Sequence, residues 1–296
     1  MNFLDNISKK DIEQYDDKVV MIKDLLKENR RLVSFVGSSQ SGTSFFVNTI
    51  ASFLAMQGIE VAILDATKNK SSYFIYTKNE EVLRRTATES IDNLSNGIAN
   101  GIKVNEHLTV YTSLPAKYDT IKKVEPILQT LLKNHTLILV DCDFDTPMTY
   151  FSYSQEIYLV QTMDILTIQP LTELLLKMKN NDIQLENKIR VIVNKYVTLE
   201  NVSEREIVSG ISFYNDPSMS FMRQLLNKAN VKYCVVPFVL EAYTKYLNCV
   251  ANCNIDVRSF PQQVVQMLTI IANNICPALM QNRQNNNLAN NAEEVM

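Results

Sequence analysis

The chain has 296 residues, of which 46% are hydrophobic, with five cysteines and a formal net charge of −3. That length and apolar share supply an ample core for one large α/β domain or two small ones. The slightly acidic balance excludes a global electrostatic pull toward nucleic acid or an anionic membrane, so nucleic acid is not an expected partner. No stretch is long, apolar and uncharged enough to read as a membrane-spanning segment, and the charged N-terminus does not read as a signal peptide. An odd number of scattered cysteines suits a reduced cytoplasm, the expected location. Cys249 and Cys253 can share a helical face, but the two histidines, His107 and His135, lie far away in sequence, which argues against a zinc site.

In chain order, an opening helix is expected at about 11–29, with Val19, Val20, Ile22, Leu25 and Leu26 as its apolar contribution. The run 32–36 reads as a buried strand. It leads into Gly37-Ser38-Ser39-Gln40-Ser41-Gly42-Thr43-Ser44 and then a helix at 44–57, with Gly58 where that helix would stop. Strand, Gly-x4-Gly turn and helix together form the setting in which successive backbone N–H groups surround a phosphate. One residue departs from that pattern: Thr43 stands where a lysine is expected. A strand at 60–64 ends in Asp65. The segment 73–107 reads as two helices over one edge of the site, with no strand of its own.

Further strands are expected at 108–112, 136–140, 156–160, 189–193 and 232–236. Helices are expected at 120–133, 170–179, 218–229 and 261–274. Short apolar strands alternating with helices imply a three-layer α/β fold, a mostly parallel sheet with helices on both faces. Ligands in such sheets sit at the carboxyl ends of the strands. Those ends carry the Gly37–Ser44 turn, Asp65, then Asp141, Asp143 and Asp145, then Asn194 and Pro237. Ser44 has the hydroxyl and Asp141 the strand-end carboxylate that hold Mg²⁺ beside a phosphate. Asp143 and Asp145 read as a solvated acidic turn in preference to the alternative, a switch loop that senses Mg²⁺ and the terminal phosphate. Asn194 is placed to pair its amide with a base edge; Val197 leaves no carboxylate for a guanine amino group, which favours adenine. The tail 281–296 is rich in Asn and Gln and is expected to be disordered. The expected division is a helical segment over 1–30, a nucleotide-binding domain over 31–278 and a tail over 279–296.

Over roughly 31–274 the chain resembles the MinD/ParA superfamily of P-loop ATPases, and within it the TadZ/CpaE-like members with an atypical P-loop. The resemblance rests on Val36 to Ser44, Val61 to Asp65, Leu137 to Asp141, Val191 to Asn194 and Val235 to Pro237. It implies ATP or ADP with Mg²⁺, held by Gly37, Ser38, Ser39, Gln40, Ser41, Gly42, Thr43, Ser44 and Phe45. Asn194 and Pro237 would stand at the base, and Ser44, Asp65 and Asp141 at the metal. It also implies a face-to-face homodimer and protein partners in a localisation or assembly machine of pilus or secretion type.

The family's two lysines fall on Ser38 and Thr43, and its water-orienting carboxylate falls on Thr67. Slow or no hydrolysis is therefore expected, with no catalytic residue assigned. Lys68 and Lys70 are the cations able to take over, although both read as solvated loop lysines. Dimer contacts are expected from residues 38–41, 142–148 and part of 73–107, with Tyr150, Phe151 and Tyr153. A nucleotide-blind scaffold and an active partition-type ATPase stay open as alternatives. A tyrosine kinase on the same fold would end in a tyrosine cluster, which this tail lacks.

Overall fold

β1 (Arg31–Gly37) is buried along almost its whole length and sits at the middle of the sheet, between β5 (Leu137–Cys142) and β6 (Glu156–Gln161). The computed structural model describes residues 19–28, 30–115, 123–209 and 231–277. The remaining strands are β2 (Val61–Asp65), β3 (Ile102–Asn105), β4 (Leu108–Tyr111), β7 (Ile189–Tyr196) and β8 (Lys232–Pro237). They form one eight-stranded sheet in the order β3-β4-β2-β5-β1-β6-β7-β8. Every neighbouring pair is parallel except β3 with β4.

Side chains alternate across each strand, so each central strand feeds two cores. Leu32, Val36, Ile138 and Val140 enter one of them, and Val33, Phe35, Leu137 and Leu139 the other. The first core is closed by the helix at 19–27 (α1), α5 (Val124–Asn134), α6 (Met148–Tyr153) and α7 (Ile168–Asn180). The second is closed by α2 (Thr43–Met56), α10 (Leu240–Ala251) and α11 (Gln262–Ile275). Between these lie α3 (Ser71–Tyr76), α4 (Glu81–Ser95), α8 (Leu185–Lys188) and α9 (Glu204–Ser209). The architecture is the expected three-layer α/β fold.

The same alternation places the site. Asp65 pairs in register with Asp141 across β2 and β5. Both follow residues of the second core by two positions, so their carboxylates stand on the face where α2 begins.

Three expectations need correction. The segment 73–107 does carry two helices, α3 and α4, but it also contains β3. That strand joins β4 through Glu106 and His107, and its four edge residues bury too little to show an apolar run. β7 does not stop at Val193; it continues to Tyr196 through a register shift, with Lys195 in the left-handed region at φ 52°. α10 was not foreseen, because its exposed Leu240, Tyr243 and Leu247 blur the polar face that marks a surface helix. The expected helix at 218–229 and the tail lie outside the described residues, as does part of the opening helix.

Candidate functional site

The turn after β1 forms one wall of a cavity of about 840 Å³. Glycine is required at two points of that turn. A Cβ on Gly37 would stand 2.4 Å from the Ser41 hydroxyl oxygen and 2.4 Å from the Val160 carbonyl oxygen. Gly42 has φ 98°, and a Cβ there would meet Asn194 Nδ2 at 2.4 Å. Between them Gln40 is also left-handed, at φ 63°. The first bond of α2 runs from Phe46 N–H to the Gly42 carbonyl, 3.2 Å. The N–H groups of Thr43, Ser44 and Phe45 precede it, and none finds an acceptor among the described residues. An anion at this helix start meets unspent donors and the positive end of a 14-residue helix.

Of the expected turn residues, Gly37, Ser38, Ser39, Gln40, Gly42, Thr43, Ser44 and Phe45 line the cavity, and Ser41 does not. Ser41 is buried, its hydroxyl shares a 3.1 Å hydrogen bond with Thr43 Oγ1, and its carbonyl accepts from Asn194 Nδ2 at 2.7 Å. The next residue of β7 repeats the device: Lys195 Nζ donates to the Gln40 carbonyl at 2.8 Å. Asn194 therefore spends a donor on bracing the loop, while still lining the cavity with Pro237. Lys195 was not foreseen as a site residue. Its only sequence signal is its place one residue after Asn194.

The opposite wall is acidic. Asp65 is fully buried and its carboxylate is filled by the protein. Oδ1 accepts from the Thr67 hydroxyl at 2.6 Å and the Thr67 N–H at 3.1 Å; Oδ2 accepts from the Ser72 N–H at 2.9 Å and the Thr112 hydroxyl at 3.4 Å. It does not line the cavity, so its geometry is that of a residue shaping the loop after β2 rather than of a metal ligand. Thr67 is occupied in the same bonds and has no carboxylate with which to orient water.

Asp143 also has a structural task. It accepts from the Lys68 N–H at 2.5 Å and the Asp145 N–H at 3.0 Å, tying the loop after β5 to the loop after β2. Asp143 thus remains a half-buried turn residue, with one added tie to the loop after β2.

Asp141 differs from both. It lines the cavity, is fully buried, and neither carboxylate oxygen has a hydrogen-bond partner among the described residues. Burial first, and the neighbouring Asp65 carboxylate second, push it well above the usual carboxylate range; the nearby Ser44 hydroxyl acts the other way. That hydroxyl closes its 3.0 Å hydrogen bond with Ser71 Oγ rather than with Asp141. A buried carboxylate without partners is costly unless a cation meets it. No cluster of three metal-ligating side chains occurs among the described residues. A Mg²⁺ ion that takes one carboxylate, a hydroxyl and ligand phosphates needs no such cluster. Asp141 and Ser44 fit it.

Lys70 overturns its expected solvated state. It is fully buried at the residue before α3, and its ammonium donates to the Asp65 carbonyl at 3.0 Å. Burial pulls it below the usual lysine range, against the opposing carboxylates of Asp65, Asp143 and Asp141.

The far end of the cavity is apolar, formed by Phe45, Val239, Tyr243, Tyr246 and Leu247 with Phe238. Phe45 meets Tyr246 edge to face, with ring centroids 5.0 Å apart. This end was invisible without α10. The expected dimer contacts also need correction. Tyr150 and Phe151 are fully buried in the first core and offer nothing to a partner. The exposed apolar side chains at the cavity rim are Phe238, Tyr243 and Leu247.

No protein-family model and no curated protein sequence matches the chain. Solved structures do match its fold. The ParA family ATPase from Chlorobium tepidum TLS superposes with a TM-score of 0.54 at 16% identity, covering 76% of this chain and 91% of that one. A putative plasmid partition protein from Borrelia burgdorferi B31, bound to AMPPNP, gives 0.56 at 11% identity over 81% and 96%. The septum site-determining protein MinD from Pyrococcus horikoshii OT3, complexed with Mg-ADP, gives 0.54 at 17% over 83% and 96%. At these identities the likeness shows the fold, which is that of the MinD/ParA P-loop ATPases. No described helix is long and apolar enough to cross a membrane.

Proposed function

We propose that the chain binds ATP or ADP with Mg²⁺ in the turn from Gly37 to Phe45 and hydrolyses it slowly or not at all. The observation that carries this reading is the pairing of unspent N–H groups at Thr43, Ser44 and Phe45 with the unpartnered, buried carboxylate of Asp141 across one cavity. Phosphate oxygens fit the first, and a divalent cation fits the second. The AMPPNP and Mg-ADP held by two structural neighbours support the ligand class. The base would occupy the apolar end near Pro237, with Asn194 beside it.

When bound, Mg²⁺ would offset phosphate charge and polarise the phosphoryl group. The chain's own residues hold and orient. Thr43, Ser44 and Phe45 donate from the main chain, while Asn194 and Lys195 keep the turn rigid. Missing from the cavity wall are cations at positions 38 and 43 and a carboxylate at position 67. Each absent charged contact costs on the order of a hundredfold in rate. The protein would then act as a nucleotide-binding localisation or assembly factor of TadZ/CpaE-like type in the cytoplasm. It would pair face to face through the cavity rim, with protein partners. Residues 31–278 would form its nucleotide-binding domain.

Calorimetry with MgATP and MgADP tests the binding, and steady-state phosphate release tests the turnover. Saturable heat with release far below about one per second is expected. Release near one per second contradicts the slow-turnover reading, and absence of heat for either nucleotide contradicts the binding.

A further inference from the structure

The turn carries no lysine, yet a buried lysine, Lys70, lies between two residues of the opposite wall, Asn69 and Ser71, without lining the cavity itself. Lys70 is the one lysine among the described residues that is fully buried, and it forms no ion pair within 4.0 Å among them. The one hydrogen bond that its ammonium makes among the described residues goes to a main-chain carbonyl, that of Asp65. Burial pulls its pKa down, and the carboxylates of Asp65, Asp143 and Asp141, in that order, act against the burial. Two of those carboxylates are already held by donors from the protein. Asp141 is not, and it alone of Asp65, Asp141 and Lys70 lines the cavity. Held on the carbonyl of Asp65, the register partner of Asp141, Lys70 thus stands beside the one of these three carboxylates that lines the cavity without a donor from the described residues.

We propose that Lys70 is a resident counter-cation of this site, offsetting the Asp141 carboxylate so that nucleotide phosphates bind with reduced dependence on a divalent metal. The proposal rests on the nucleotide reading and adds how the site balances its charge. In a partly buried setting, a unit charge several ångström away changes the binding of a small ion by at least about tenfold. Lys70 favours phosphates facing Asp141 and opposes a divalent cation at the same place. The two effects have opposite signs, which separates them from damage to the fold.

The test uses Lys70→Gln, which keeps a donor for the Asp65 carbonyl, and Lys70→Met, which keeps the volume. ATP affinity is measured by calorimetry in EDTA and in Mg²⁺, and Mn²⁺ alone is titrated by electron paramagnetic resonance. In the wild-type chain, ATP affinity should differ by less than about tenfold between EDTA and Mg²⁺. In both variants, ATP binding in EDTA should weaken about tenfold, and Mn²⁺ alone should bind about tenfold tighter. Partial unfolding would weaken both. Equal Mn²⁺ affinity in wild type and variants overturns the role of Lys70, even where nucleotide binds. A wild-type Mg²⁺ effect of about a hundredfold or more overturns it too, without recourse to the variants. A wild-type chain that binds neither ATP nor ADP sinks the nucleotide reading instead, and the Mn²⁺ comparison still decides Lys70.

Discussion

Phe151→Asp should unfold the protein rather than weaken an interface. Phe151 is fully buried on α6, in the core that α5 and α7 close over the sheet. Truncating a buried Phe costs about 3–5 kcal/mol, and an unpartnered carboxylate in its place adds several more. The total approaches the whole stability of an ordinary domain, about 5–15 kcal/mol. Tyr243→Asp is the matched control: Tyr243 is 45% exposed at the cavity rim, where a polar change costs about 0.5 kcal/mol or less. Urea unfolding followed by circular dichroism should show no cooperative transition for the first variant and a nearly unchanged midpoint for the second. A normal midpoint for Phe151→Asp would mean that α6 is not packed as described. If the rim is the pairing surface, Tyr243→Asp should shift sedimentation toward monomer while leaving the fold intact.

Gly42→Val should abolish nucleotide binding in a protein that still folds. At φ 98° a non-glycine residue is strained by about 1–3 kcal/mol, and β-branching raises that cost. The added Cβ would also stand 2.4 Å from Asn194 Nδ2, the atom that braces the Ser41 carbonyl. Relief requires either the turn or Asn194 to move, and both routes displace the N–H groups of Thr43 and Ser44. Affinity for MgATP should fall at least about a hundredfold, equivalent to about 2.7 kcal/mol. Asn194→Ala removes the clash but not the strain, so Gly42→Val with Asn194→Ala should recover only part of the loss. Unchanged affinity in Gly42→Val would remove the ligand from this turn.

The layers of the fold were legible because their signals are local. The runs before Gly37, Asp65 and Asp141 are apolar over a strand's length, and two glycines five residues apart mark the turn between strand and helix. What escaped depends on contacts between distant segments. Lys70 lies in a polar stretch with nothing local to say that it is buried; only the pairing of Asp65 with Asp141 creates the acidic pocket it enters. Phe151 and Tyr150 sit in a six-residue helix too short to show a period, so their burial could not be read from spacing. Asn194 lines the cavity as expected of its segment, but it lies within β7 rather than at its end. Its bond to the Ser41 carbonyl joins residues 153 apart in the chain, which no local signal shows. The apolar end of the cavity followed α10 out of view.

A crystal structure of the wild-type chain grown with Mg²⁺ and AMPPNP tests the central claim most directly. The account expects the phosphates on the main-chain N–H groups from Gly42 to Phe45, the metal between the Ser44 hydroxyl and the Asp141 carboxylate, and the base at the end lined by Pro237. A turn left empty at saturating nucleotide, or nucleotide bound at another surface, would contradict it.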